Sequence, residues 1–254
     1  MKRFVIGAIF VLLCGAALFA QFKNADGFYF AQDANFTNNQ KNQAVIEVKG
    51  GKIVSAKWNI LSLAAGTQDL KAVAASGTVP AAANWADQAK AAEDSLVSGQ
   101  AIPKSPAANV KPFFDLADKA LKSKAVAKGS YGKDGWFYAL DSEKDEYNTQ
   151  NYVIITVVNG TIVDVLWNGV LVGYHSSVNP SKMLTSRANA YPMTGSRRAW
   201  HIQAEAATAE LVKVQNIDSI KMKTDGKHPD AISGVTIEIN GFITATKMAL
   251  QAAK

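Results

Sequence analysis

The sequence predicts an α+β fold in which antiparallel β-hairpins pack with helices, and it predicts that this plan is used twice. Residues 45–59, VIEVKGGKIVSAKWN, align without a gap to residues 154–168, IITVVNGTIVDVLWN, at a spacing of 109. A second pair of blocks changes from a period of two to a helical one: Trp85-Ala-Asp-Gln88-Ala89-Lys-Ala91-Ala92 recurs as Trp200-His-Ile-Gln203-Ala204-Glu-Ala206-Ala207 at a spacing of 115. Self-similarity at this scale is an internal duplication, and it sets the organisation of the whole chain.

Each copy opens on a short strand, marked by Gly27-Phe28-Tyr29 and Gly135-Trp136-Phe137. Two β-rich runs then flank a tight turn, with Gly50-Gly51 in the first copy and Asn159-Gly160 in the second supplying the positive φ values of a two-residue hairpin. The helix that follows carries one narrow apolar stripe. Trp85, Ala89, Ala92 and Leu96 fall at i, i+4, i+7 and i+11, as do Trp200, Ala204, Ala207 and Leu211. Their small side chains predict close packing on the sheet. A last helix closes each copy, pairing Phe113, Ala120 and Leu121 with Phe242, Ala249 and Leu250 at a spacing of 129; in the second copy it is expected over Ile237–Ala252. Between the copies, Lys128-Gly129-Ser130-Tyr131-Gly132 breaks the chain, dividing it into a first repeat at 22–127 and a second at 130–254.

Residues 1–20 have the layout of a secretory signal peptide: Lys2 and Arg3, an apolar run from Phe4 to Phe19, then small and polar residues. The run is short for a membrane span. Cleavage after Ala17 or Ala20 is acceptable, and the address is extracytoplasmic, either periplasmic or on the outer face of the cytoplasmic membrane. A retained anchor, or lipidation at Cys14, stays open, although Leu13 stands where a lipoprotein site has a small residue.

With 254 residues, 48% of them hydrophobic and 19% charged, the chain has enough apolar material for proper cores. Cys14 is the only cysteine. If it leaves with the signal peptide, disulfides, thiolate catalysis, iron–sulfur clusters and a thioether-linked haem are excluded, so a redox role requires an organic cofactor such as a flavin. His175, His201 and His228 are scattered without a carboxylate or histidine at ligand spacing, so no metal is expected. Hydrolase elbows, phosphate loops and dinucleotide fingerprints are missing from the sequence. The formal charge of +6 falls to +4 without Lys2 and Arg3, and its basic residues are dispersed; no nucleic-acid binding is expected.

The copies differ in one place. Between the Trp helix and the closing helix, 29 residues separate Val212 from Phe242, but 15 separate Val97 from Phe113. The longer stretch contains Asp230-Ala231-Ile232-Ser233-Gly234-Val235-Thr236, which puts a hydroxyl just after a glycine turn. A glycine turn with Thr236 as helix N-cap, worth ~1 kcal/mol, is the structural explanation. Yet the order of hairpin, Trp helix, this heptapeptide and closing helix resembles the FMN-binding domain found in the C subunit of sodium-translocating NADH:quinone oxidoreductase, in its Rnf counterpart and in tandem-domain proteins of extracellular electron transfer. That family's site reads Asp-x-x-Ser/Thr-Gly-Ala-Thr, and this chain departs from it at Val235.

The resemblance covers roughly residues 134–252 and, truncated, 26–122. It implies that a flavin transferase esterifies the phosphate of FMN to Thr236, with Asp230, Ser233, Gly234 and Val235 forming the rest of the attachment segment. It places ring and phosphate contacts between Gly173 and Arg198, a stretch containing Tyr174, Lys182, Ser186, Tyr191, Met193, Arg197 and Arg198. Trp167 and Trp200, repeated in the copy without the motif, are expected in the core. The implied function is electron carriage between redox partner proteins at the membrane, with the first repeat degenerate. A non-covalent FMN-binding reductase and a flavin-free binding or scaffold module are the alternatives.

Overall fold

The computed structural model describes residues 24–173, 180–193 and 198–254; the expected signal peptide, Tyr174 and Arg197 lie outside them. Two three-stranded antiparallel sheets organise the chain. β1 (Gly27–Gln32), β2 (Gln40–Lys49) and β3 (Lys52–Ser62) form the first, followed by α1 (Leu70–Ala75), α2 (Pro80–Gly99) and α3 (Lys111–Leu121). The second comprises β4 (Gly135–Lys144), β5 (Thr149–Val158) and β6 (Thr161–Leu171), followed by α4 (Lys182–Arg187), α5 (Trp200–Val214) and α6 (Asn240–Gln251). This is an α+β fold with one hairpin unit and, among the described residues, three α-helices in each half. Among the described residues no helix is long and apolar enough to cross a membrane.

The repeat extends to details that the alignment only outlines. Both hairpin turns have two residues at positive φ, Gly50 and Gly51 at 59° and 70°, Asn159 and Gly160 at 53° and 72°, which matches the right-handed twist of the flanking strands. Both hairpins shift register at the same point, after Glu47 and after Thr156. On the helix-facing side, Trp58 stacks on Phe113 and meets Trp85 edge-on; Trp167 stacks on Phe242 and meets Trp200 edge-on, with centroids 5.0–5.8 Å apart. The indole N–H of Trp58 donates to Asn42 and that of Trp167 to Asn151, each at 3.0 Å. Gln100 and Gln215 end the Trp helices in the left-handed conformation, and their side-chain amides pair with the backbone of Ile53 and Ile162.

Helices α1 and α4 are not anticipated by the sequence pattern, because six residues are too few to show a period. They are set by caps instead. Asp69 accepts from the Ala72 N–H and Ser181 from the Leu184 N–H, and the buried amides of Asn59 and Asn168 accept from the Lys71 and Met183 N–H groups. Leu70 and Lys182 therefore occupy the same place in the two halves.

The sheets turn their other faces toward each other across a polar seam. Gln43, fully buried, donates to Gln32 and Asp164 and accepts from the Trp136 indole and the Thr156 hydroxyl, at 2.6–2.9 Å. Lys41 pairs with Asp164 at 2.7 Å. Leu61 and Leu63 of the first half join the core of the second, and Tyr152 donates its hydroxyl to the Ala64 carbonyl at 2.9 Å. Burial raises the Tyr152 phenol above its ordinary range.

The closing helix of the second half starts later than Ile237. It begins at Asn240, its cap residue is Ile239, and no side chain caps it. Ile237 and Ile239 both point into the core, and the Ile239 N–H donates to the Lys227 carbonyl at 2.8 Å. An alternating buried pattern with an outside hydrogen-bond partner keeps the segment out of the helix. Thr236 is consequently not the helix N-cap, and its hydroxyl does not stand at the first turn of α6.

Candidate functional site

A cavity of about 600 Å³ opens in the second half, lined by the β4–β5 turn, the floor residues Asn151 and Trp167, the starts of α4, α5 and α6, and the lengthened segment after α5. Small-molecule sites commonly span ~300–1,000 Å³. Four residues singled out in the sequence line it together: Thr236, Lys182, Tyr191 and Met193. Trp167 and Trp200 are core residues, as expected, and also form part of its wall.

Lys182 is the first residue of α4 and only 4% exposed. Its stem crosses β6 at Gly169, where a Cβ would sit 2.3 Å from the Thr149 methyl and 3.4–3.5 Å from the lysine chain. The first half has Ile60 there. The ammonium lies over Trp200 at 4.9 Å, Tyr191 at 5.0 Å and Tyr147 at 5.8 Å, within the range of cation–π attraction, and 3.8 Å from the Asp145 carboxylate. Burial lowers its pKa from 10.5 to about 8, with Asp145 and Glu238 opposing the shift. Burial likewise pushes the Tyr191 phenol up to about 12.

Asp145 is fixed at the turn by accepting from the Tyr147 and Thr149 N–H groups and from the Asn151 amide. Across the rim, Lys227 bridges Glu146 at 3.0 Å and Glu238 at 3.3 Å. The loop before it is built on Asp225, whose carboxyl is held well below the usual range by the N–H groups of His228 and Lys227 and by the His228 ring.

The Asp230–Thr236 segment approaches the cavity through a tight turn. The Val235 N–H donates to the Ile232 carbonyl at 3.2 Å, and Gly234 occupies the third turn position at φ +76°, where a type II turn requires glycine. A Cβ on Gly234 would come within 2.8 Å of the Arg198 guanidinium. Val235 turns inward and is 6% exposed, so its additional methyls pack in the core rather than beside the hydroxyl. Thr236 follows with its residue exposed. Its N–H and hydroxyl both donate to Gln203, at 2.7 and 3.2 Å, and Gln203 in turn donates to the Arg198 carbonyl at 2.7 Å. The threonine thus belongs to the first turn of α5, not to α6.

Asp230, Ser233, Gly234 and Val235 do not line the cavity; the first two are exposed. Arg197 lies outside the described residues. Ser186 is buried away from the cavity and bonds His201, joining α4 to α5. Asp145, Asn151 and Gln203 belong to the site without having been singled out for it. Of these only Gln203 left a trace in the sequence, as part of the repeated Trp block, where its counterpart Gln88 accepts from Asn109 at the surface.

Compared with known proteins, the chain matches no family model and no curated relative. A protein of Clostridium thermocellum solved by solution NMR is similar, with 37% identity over 48% of this chain and 92% of that one, at a TM-score of 0.38. A superposition that loose speaks for neither fold nor function.

Proposed function

We propose that the protein is an extracytoplasmic electron carrier whose second half holds FMN through a phosphoester to Thr236. The observation that carries this reading is the convergence of the motif's acceptor hydroxyl with Lys182, Tyr191 and Trp200 on one cavity. The residues fit the cofactor in three respects. An exposed hydroxyl at the cavity, oriented by Gln203, suits modification by an external flavin transferase, which removes the need for a base beside a weak nucleophile. The Arg198 guanidinium over the Ser233–Gly234 turn puts a positive charge beside the place where a phosphate would be carried. Aromatic walls and a buried cation suit a flat, polarisable ring system.

Bound FMN would supply one- and two-electron chemistry; the chain's own part is to tether, orient and tune it. Lys182 supplies the charge, Trp200 and Tyr191 the apolar contact, and the Glu146–Lys227–Glu238 bridge the rim. The first half, with the shorter segment between α2 and α3 and no equivalent threonine, serves as a docking and supporting unit. Redox partner proteins at the membrane would deliver and collect the electrons.

Intact-mass measurement of the mature protein co-expressed with a flavin transferase tests this. A gain equal to FMN less one water is expected in the wild type and not in Thr236→Ala. A colourless, unmodified wild type refutes the flavin reading. A yellow protein that releases its flavin on denaturation replaces the ester with non-covalent binding.

A further inference from the structure

The ammonium of Lys182 is short of hydrogen-bond acceptors in a way its burial does not explain. It carries three donors, but among the described residues no acceptor lies within hydrogen-bond range. The nearest carboxylate, Asp145, is 3.8 Å away and already accepts from two backbone N–H groups and an amide. The remaining neighbours are ring faces. A lysine usually extends its head to water. Here the stem is held in the gap at Gly169 and the residue is 4% exposed, so the head ends in the cavity wall. The duplicated position shows that the fold does not need it, since Leu70 fills the same place in the first half.

A desolvated cation with unused donors, facing a cavity, calls for an acceptor brought by a ligand. The surrounding Trp200, Tyr191 and Tyr147 rings favour a planar molecule, and the charge disfavours a cationic one. Resting on the FMN reading, we propose that Lys182 orients the ring: its ammonium takes the carbonyl and ring-nitrogen edge of the isoalloxazine as acceptor, so that the cavity favours ring forms bearing negative charge. The charged and titratable groups sharing this field are Asp145, Glu146 and Glu238, the phenols of Tyr147 and Tyr191, and His228, all lining the same cavity. The depressed proton affinity of Lys182 agrees with a cation that lacks acceptors until a ligand provides them.

The test uses the FMN-loaded full chain and its Lys182→Met and Asp145→Asn variants, with loading checked by mass. Ring N–H acidity is read from absorbance titration and the midpoint potential from pH 6.5 to 10.5, a range that runs from below the lysine's ligand-free value of about 8 to its ordinary 10.5. Lys182→Met is expected to load, to lower ring acidity at least ~tenfold, which is ~1.4 kcal/mol, and to move the midpoint negative. An acceptor edge bearing negative charge raises the Lys182 proton affinity from its ligand-free value of about 8, so the wild-type potential should show a break in slope above pH 8 that this variant lacks. Asp145→Asn, which removes the opposing charge, should move the midpoint in the positive direction. A loaded Lys182→Met with wild-type acidity and potential overturns the assignment and leaves the tether intact. If Lys182→Met does not fold, an unshifted potential in Asp145→Asn overturns it. A wild type that takes up no flavin overturns both the assignment and the reading beneath it.

Discussion

Replacing Lys182 with methionine in the flavin-free protein should make the protein more stable. The lysine's pKa falls from 10.5 to about 8, chiefly through burial. The folded state therefore binds the proton less tightly than the unfolded state does, and the cost of holding the charge is fully present below pH 8. At ~1.4 kcal/mol per tenfold change in proton affinity, the upper bound is ~3 kcal/mol. Methionine keeps the stem's packing against Trp200 and Tyr191 and removes the charge. Asp145 loses its counter-ion but keeps three hydrogen-bond donors, which reduces the expected gain to about 2 kcal/mol. For a chain of this size that is a rise in Tm of roughly 4–8 °C at pH 7. As pH rises from 8 toward 10.5 the wild-type lysine loses its proton in both states, so the two melting curves should converge. Thermal melts of both proteins, expressed without a flavin transferase, decide the matter. A lower Tm for the variant at pH 7, or a gap independent of pH, would refute the claim that the charge is held at a cost to the fold.

Two further outcomes follow from the geometry. Gln43→Leu leaves the Trp136 indole and the Thr156 hydroxyl without their acceptor; a loss of ~2–4 kcal/mol in urea unfolding is expected, and a change below ~0.5 kcal/mol would show that the seam does not hold the halves together. Gly234→Ala combines a φ of +76° with a contact of 2.8 Å to Arg198, so it should cost ~1–2 kcal/mol and slow flavin attachment at Thr236. Gly226→Ala, at φ +67° in open space, should cost stability without affecting attachment, and equal attachment rates in the two variants would deny the turn its role.

How far the site was legible depended on how its information was stored. Repetition exposed the hairpins, the Trp helices and the lengthened segment, because each leaves a period or a length in the chain. The short helices α1 and α4 left none. They are fixed by hydrogen bonds from Asn59 and Asn168, which lie 12 and 15 residues before the groups they hold. The start of α6, expected at Ile237, lies at Asn240 for a similar reason: the competing partner of Ile239 is the carbonyl of Lys227, and helical periodicity cannot register a competitor from another loop. Val235 departs from the family motif beside the acceptor, yet it is a core side chain, since successive residues in an extended segment face opposite ways.

The sequence by itself determined the α+β plan, its duplication and the segment in which the halves differ, because alternation, helical stripes and turn residues are local properties of the chain. Only the tertiary structure decided what that segment faces. It brought Thr236 to Gln203 on α5 and to the cavity shared with Lys182, Tyr191 and Met193. It also placed a buried cation, whose nearest carboxylate among the described residues is Asp145 at 3.8 Å, where the first half has leucine. Such convergence depends on strands and helices distant in sequence packing side by side, and burial, which gives Lys182 its altered chemistry, exists only once they have done so.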